Sequence, residues 1–157
     1  MEDINKHCDD NLGGVQPFKF IPVTDIDSMV EPVNSKVLEP VTLKALARWF
    51  NCYATEGTIK YSEDKQESPH GDYYKAKLTA FIPKDRAEVI EQLKQMNNKL
   101  FVIDYTDNNG LRKLVGNIEN PLRFSDTVDT GDNAAKRNGY TIEFSGDILQ
   151  KAPTYFI

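Results

Sequence analysis

Cysteine, histidine and tryptophan are scarce in this chain: two, two and one among 157 residues. Cys8 and Cys52 form no C-x-x-C set, and His7-Cys8 supplies two ligands at a spacing that does not suit the four close-set ligands of structural zinc. Both cysteines read as free thiols, Cys52 a buried one. A disulfide between them stays open, but Met1-Glu2-Asp3-Ile4-Asn5-Lys6 lacks the basic start and apolar core of a secretory signal. His7 lies in an acidic segment and His70 between Pro69 and Gly71; neither place suits the buried, oriented base of a nucleophilic triad. No run approaches the roughly 18 consecutive apolar residues of a membrane-spanning helix. Basic charge is also short: 19 Lys and Arg stand against 24 Asp and Glu, a net −5, which disfavours broad binding to nucleic-acid backbones. Lys136-Arg137-Asn138-Gly139 is the most basic spot, and Asp132 stands beside it. Gly13-Gly14 has no G-x-x-x-x-G-K around it to cradle phosphate. Alternating β-α-β-α units are missing, which disfavours a doubly wound nucleotide-binding sheet. Paired carboxylates for glycoside chemistry come with no aromatic-rich cleft motif. The expectation is a non-enzymatic chain with no catalytic residue, cofactor or metal.

The charge that is present is unevenly spread. Residues 1–40 carry eight acids and three bases, which accounts for the whole net charge, and four of the eight prolines (Pro17, Pro22, Pro32 and Pro40). Proline has a fixed φ and no N–H, so this stretch reads as an extended acidic arm, with Phe18–Val23 as one short edge strand. Residues 41–157 are electroneutral and read as a single β-rich domain.

Within that domain Leu43, Leu46, Ala47 and Phe50 lie on one helical stripe, although Arg48–Tyr53 reads equally as a strand. Thr58–Ser62 alternates, becomes polar through Glu67, and turns at Ser68-Pro69-His70-Gly71. Tyr74, Ala76, Leu78, Ala80 and Ile82 then line one face of a returning strand. This predicts a long β-hairpin whose outer half is too polar to be core. Asp85 and Glu88 make a capping-box pattern ahead of Val89, Ile90, Leu93 and Met96, a helix that Asn97-Asn98 ends. Leu100–Tyr105 reads as a buried strand, Asp107-Asn108-Asn109-Gly110 as a hairpin turn and Leu111–Ile118 as the returning partner. Leu122-Arg123-Phe124 opens another strand, a polar loop runs from Ser125 to Asn138, and Gly139–Ser145 is a final strand. Asp126, Asp129 and Asp132 recur in that loop without the order of an EF-hand, and read as a hydrated acidic loop. The tail Ala152-Pro153-Thr154-Tyr155-Phe156-Ile157 ends on two aromatics and an Ile, and should dock on its own core or on a neighbour. The fold class is α+β, mainly β: an antiparallel sandwich or half-barrel with a long hairpin and one flanking α-helix.

A resemblance follows from residues 57–157. Gly71-Asp72-Tyr73-Tyr74, Phe81-Ile82-Pro83-Lys84, Asn109-Gly110, Leu114-Val115-Gly116-Asn117, Gly139–Gly146 and Ala152-Pro153-Thr154-Tyr155 occur in an order similar to bacteriophage tail structural proteins, the tail-tube and tail-terminator or neck group. The resemblance implies a non-enzymatic virion component, made in the host cytoplasm. It would form a homo-oligomeric, hexameric ring that meets other tail or neck proteins, with DNA only as passing cargo and no membrane. It also implies subunit contacts through the hairpin, the long loop and the tail: Thr58, Lys60, Glu63, Asp64, Lys65, Glu67, His70, Asp129, Asp132, Lys136, Arg137, Tyr155 and Phe156. The other expectation is a soluble monomeric or dimeric adaptor that binds a ligand or partner.

Overall fold

The computed structural model describes residues 12–157; His7, Cys8 and the rest of residues 1–11 lie outside the described residues. Among the described residues the chain is mainly β, with one α-helix and a sheet curled into a half-barrel. In order it forms β1 (Phe18–Pro22), β2 (Ile26–Ser28), β3 (Lys36–Val37), β4 (Thr42–Leu43), β5 (Phe50–Cys52), β6 (Lys60–Ser68) and β7 (Gly71–Pro83). Next come α1 (Ala87–Met96), β8 (Leu100–Thr106), β9 (Arg112–Val115), β10 (Leu122–Asp129), β11 (Gly139–Ile148) and β12 (Thr154–Tyr155).

β8 organises the molecule. Its run Phe101–Tyr105 is buried throughout because both faces are covered. Phe101, Ile103 and Tyr105 face the main core, where Phe18, Leu78, Leu122, Ile142 and Phe144 pack. Val102 belongs to a second cluster with Ile21, Ile26, Val37, Val41, Leu114 and Tyr155. In the main core Phe144 meets the rings of Phe18 and Phe101 edge-on, at 5.9 and 5.5 Å. That geometry suits the charge distribution of aromatic faces and edges. The sheet then runs β8-β10-β11-β7-β6, all antiparallel.

Four expectations are corrected. β1 is no edge strand: it pairs with β5 on one side and β8 on the other. Its alternation puts Phe18 in the main core and Ile21 in the second, so residues 18–40 close the back of β8 and β9 rather than reach outward. Of the two readings at Leu43–Tyr53, the helical stripe does not form and the strand within Arg48–Tyr53 holds, as β5. β4 and β5 occupy the ends of the stripe, and Leu46 between them has φ +67°, outside the helical range. Arg86, not Asp85, is the N-cap of α1, and its side chain makes no capping bond. Asp85 instead accepts a hydrogen bond from the Tyr140 hydroxyl, which ties the helix entry to β11. Finally, the polar stretch from Ser125 to Asp129 is strand, paired with Gly139–Glu143, which leaves only residues 130–138 as loop. Polarity misled there because Ser125–Asp129 is exposed on both of its faces, while its partner strand buries Tyr140 and Ile142.

The long hairpin, the buried β8 and the turn before β9 are as expected; of the tail, Ala152 and Tyr155 dock on their own core, while Phe156 and Ile157 stay exposed. Gly110 takes φ +86° in that turn, and the Asp107 carboxylate accepts from the backbone N–H groups of Asn109 and Leu111.

Candidate functional site

The hairpin β6–β7 is the most extended feature, with nine cross-strand pairs from Lys60↔Thr79 to Ser68↔Gly71. β7 is paired on both sides, to β6 and to β11. β6 ends the sheet, and among the described residues its outer edge meets no strand. A free edge offers a row of backbone N–H and C=O groups to an incoming strand. Lys60, Asp64, Lys65 and Glu67 populate this one, and charge of that kind discourages indiscriminate pairing.

The base of the hairpin is clamped to its own chain. Tyr61 and Glu63 share the inner face of β6 by the two-residue period of a strand. The Tyr61 ring lies 4.8 Å from that of Tyr105 on β8. Glu63 accepts from the Tyr61 hydroxyl (3.2 Å), from Lys113 Nζ on β9 (3.4 Å) and from the Ala152 backbone N–H (3.0 Å). Burial, and secondarily the charge of Glu63, pushes both tyrosine hydroxyls well above their usual range, so they stay protonated donors. One inward carboxylate thus joins the hairpin, β9 and the C-terminal tail.

Beyond this clamp the hairpin is solvated. Lys60, Asp64 and Glu67 are exposed on β6, and His70 is exposed at the tip. Lys65 pairs with Asp72 at 2.8 Å and Glu67 at 3.4 Å; the hydrogen bond to Asp72 is the main reason its pKa is raised. Thr58 acts locally: its hydroxyl donates to the Thr55 carbonyl (2.6 Å) and accepts from the Phe81 N–H (3.2 Å). On the second ribbon, Asp129 accepts from the Gly131 N–H, Asp132 pairs with Lys136 at 2.9 Å, and Arg137 lies over the Phe81 ring. The structure therefore places Lys60, Asp64, Glu67 and His70 on one exposed ribbon and Asp129, Asp132, Lys136 and Arg137 on another. Glu63 and Tyr155 face their own chain. Tyr155 is buried and its hydroxyl accepts from the Val41 N–H, while Phe156 is exposed, with the Lys36 ammonium over its ring.

Two features escaped the reading of the sequence. Asp104 is buried on β8 and held by Arg112 of β9, whose guanidinium also covers the Tyr155 ring and donates to the Ile157 carbonyl oxygen. The signal was a single carboxylate inside the apolar run Phe101–Tyr105, which demands a cation nearby. The other is a groove of about 130 Å³ between residues 29–32, the turn 116–120 and residues 148–153. No sequence signal marks it, because three distant segments make it.

Cys52 is buried in the main core, and desolvation pushes its thiol up to about 12. Among the described residues no three His, Cys, Asp or Glu side chains are grouped to hold a metal ion, and no helix is long and apolar enough to cross a membrane. Compared with family models, curated proteins and solved structures, the chain matches none.

Proposed function

We propose that this chain is a non-enzymatic structural subunit of a phage tail or neck, which assembles into rings by lending strand edges and ribbons to its neighbours. The observation that carries this reading is the nine-residue β6, unpaired along its outer edge among the described residues, on a ribbon whose base is clamped. Clamping matters because a ribbon ordered in the free subunit loses little entropy on docking. The exposed loop at 130–138 and exposed Phe156 add further surface for neighbours. In a ring the near-neutral region 41–157 would let DNA pass without adhering to the wall.

Deletion of Asp64–Gly71 is expected to leave a folded monomer that forms no ring, checked by circular dichroism, native mass spectrometry and electron microscopy. The gentler pair Asp64→Lys and Glu67→Lys, both at exposed positions, should weaken assembly without touching the Glu63 clamp. Intact rings in both cases would overturn the reading. A second reading, a monomeric or dimeric adaptor, is favoured by the groove beside residues 148–153. Native mass at micromolar concentration separates the two, since a six-fold ring differs clearly from a dimer.

A further inference from the structure

Leu46 breaks two rules at once. It is fully exposed, and its φ of +67° lies in the left-handed region that side chains with a Cβ avoid. Among the described residues nothing covers its side chain to reward that conformation, yet the loop that imposes it is pinned. The Lys44 N–H donates to the Asp25 carbonyl (3.0 Å), the Ala47 N–H to the Lys44 carbonyl (3.0 Å) and Lys44 Nζ to the Thr24 carbonyl (2.8 Å). Arg48 stacks its guanidinium on the Phe50 ring at 5.0 Å. The result is an apolar knob with a cation two residues to either side.

The groove is its counterpart. Val30, Leu149 and Pro153 supply apolar wall, while Glu31 and Glu119 add two carboxylates that enter no ion pair among the described residues. Its one cation, Lys151, is drawn over the Tyr74 ring. A volume of about 130 Å³ is close to the ~150 Å³ of an engineered apolar cavity that takes up a small hydrocarbon ligand.

Knob and groove cannot meet within one chain. β2 and β4 pair antiparallel, Ile26↔Leu43 and Ser28↔Thr42, so Lys44–Arg48 leaves this short ribbon beside Thr24 and Asp25. Met29–Pro32 leaves it at the opposite end. A surface and its complement at opposite ends of one element define a head-to-tail contact, which closes into a ring or propagates as a filament.

We infer that Leu46 of one copy inserts into the groove between residues 29–32 and 148–153 of a second copy, with Lys44 and Arg48 opposite Glu31 and Glu119. This rests on the self-assembly reading above and names a contact that the hairpin does not provide. Burying an exposed leucine in such a groove favours association by about tenfold or more.

The test is the assembly state of the full chain by native mass spectrometry and sedimentation, with hairpin-deleted protein alongside. Leu46→Gly is expected to raise the monomer's melting temperature by relieving the backbone, while weakening assembly about tenfold or more. A leucine kept for its own fold would give a lowered melting temperature and no loss of assembly beyond what unfolding explains, which would overturn the inference. Lys44→Glu with Arg48→Glu should weaken assembly, as should Glu31→Lys with Glu119→Lys, and combining all four should restore it. If wild type assembles, hairpin deletion abolishes assembly and the Leu46 and charge variants assemble normally, this inference falls and the ring reading stands. If wild type is monomeric throughout, the ring reading falls and takes the inference with it. If the Leu46 variants dissociate complexes that the hairpin deletion leaves intact, the inference stands and the hairpin's role falls.

Discussion

Arg112 donates from Nε and Nη2 to the two carboxylate oxygens of Asp104, at 2.8 and 2.6 Å. The two sit diagonally on the back face of β8 and β9, and Asp104 keeps only 5% of its side-chain exposure against 32% for Arg112. A carboxylate so placed depends on its partner. Arg112→Met should destabilise the chain by about 3 kcal/mol, because it leaves a buried charge uncompensated. Asp104→Asn combined with Arg112→Met should recover part of that loss. Urea unfolding of the three variants checks this, and a loss under 1 kcal/mol for Arg112→Met would show that water reaches Asp104.

Gly139 opens β11 with no room for a side chain. A Cβ there would fall on the Ile82 carbonyl oxygen and press on the Phe81 ring. Because β11 pairs with β7 along ten residues, the clash cannot be relieved locally. Gly139→Ala is expected to cost about 3 kcal/mol, read as a lowered denaturant midpoint.

Arg86 wastes a helix cap. It holds the N-cap conformation of α1, φ −146° and ψ 145°, but offers no side-chain acceptor to the free N–H groups of the first turn. Arg86→Ser or Arg86→Asp should stabilise the chain by about 1 kcal/mol, visible as a raised melting temperature. An unchanged or lowered value would mean that the guanidinium does something else there.

Cys52 makes stability fall at high pH. Its folded pKa of about 12 lies above the ordinary value of about 9, so its contribution is complete below pH 9 and is lost as pH rises towards 12. At a pH of about 10.5 the loss is about 2 kcal/mol. Unfolding free energies measured at neutral pH and at that pH should drop more for wild type than for Cys52→Ala by that amount. Equal drops would place the burden on the tyrosines instead.

Tyr140 tests the link between α1 and the sheet. Its hydroxyl donates to Asp85, the main reason its pKa is pushed up to about 12. Tyr140→Phe should lower the melting temperature, with the larger share of added hydrogen exchange in α1. Uniform change across the sheet would mean that the bond does not anchor the helix.

Much of the fold was legible wherever one local rule had no competitor. The alternation from Tyr74 to Ile82 and from Tyr140 to Phe144 identified β7 and β11, and Asp107–Gly110 identified the turn into β9. The misreadings share a cause: the sequence shows polarity and period, whereas the outcome depended on what lay across the strand. Phe18–Pro22 looked like an edge because Lys19 and Pro22 break its apolar run, but β5 and β8 take its two sides. Asp85 lost the cap because Tyr140, 55 residues away, claims its carboxylate.

By themselves the amino acids determined a mainly β chain with a long polar hairpin, one helix, a buried Cys52 and a tail that docks through Tyr155. These follow from side-chain period, turn chemistry and transfer of apolar groups from water, all of which act over a few residues. Tertiary structure alone decided that residues 18–40 close the back of β8, that Asp104 needs Arg112, and that Glu63 locks the hairpin to the tail. It also decided that a strained Leu46 stands at one end of the β2–β4 ribbon and a groove at the other. Those are relations between segments up to about 120 residues apart, and only chain closure brings their charges and surfaces within reach.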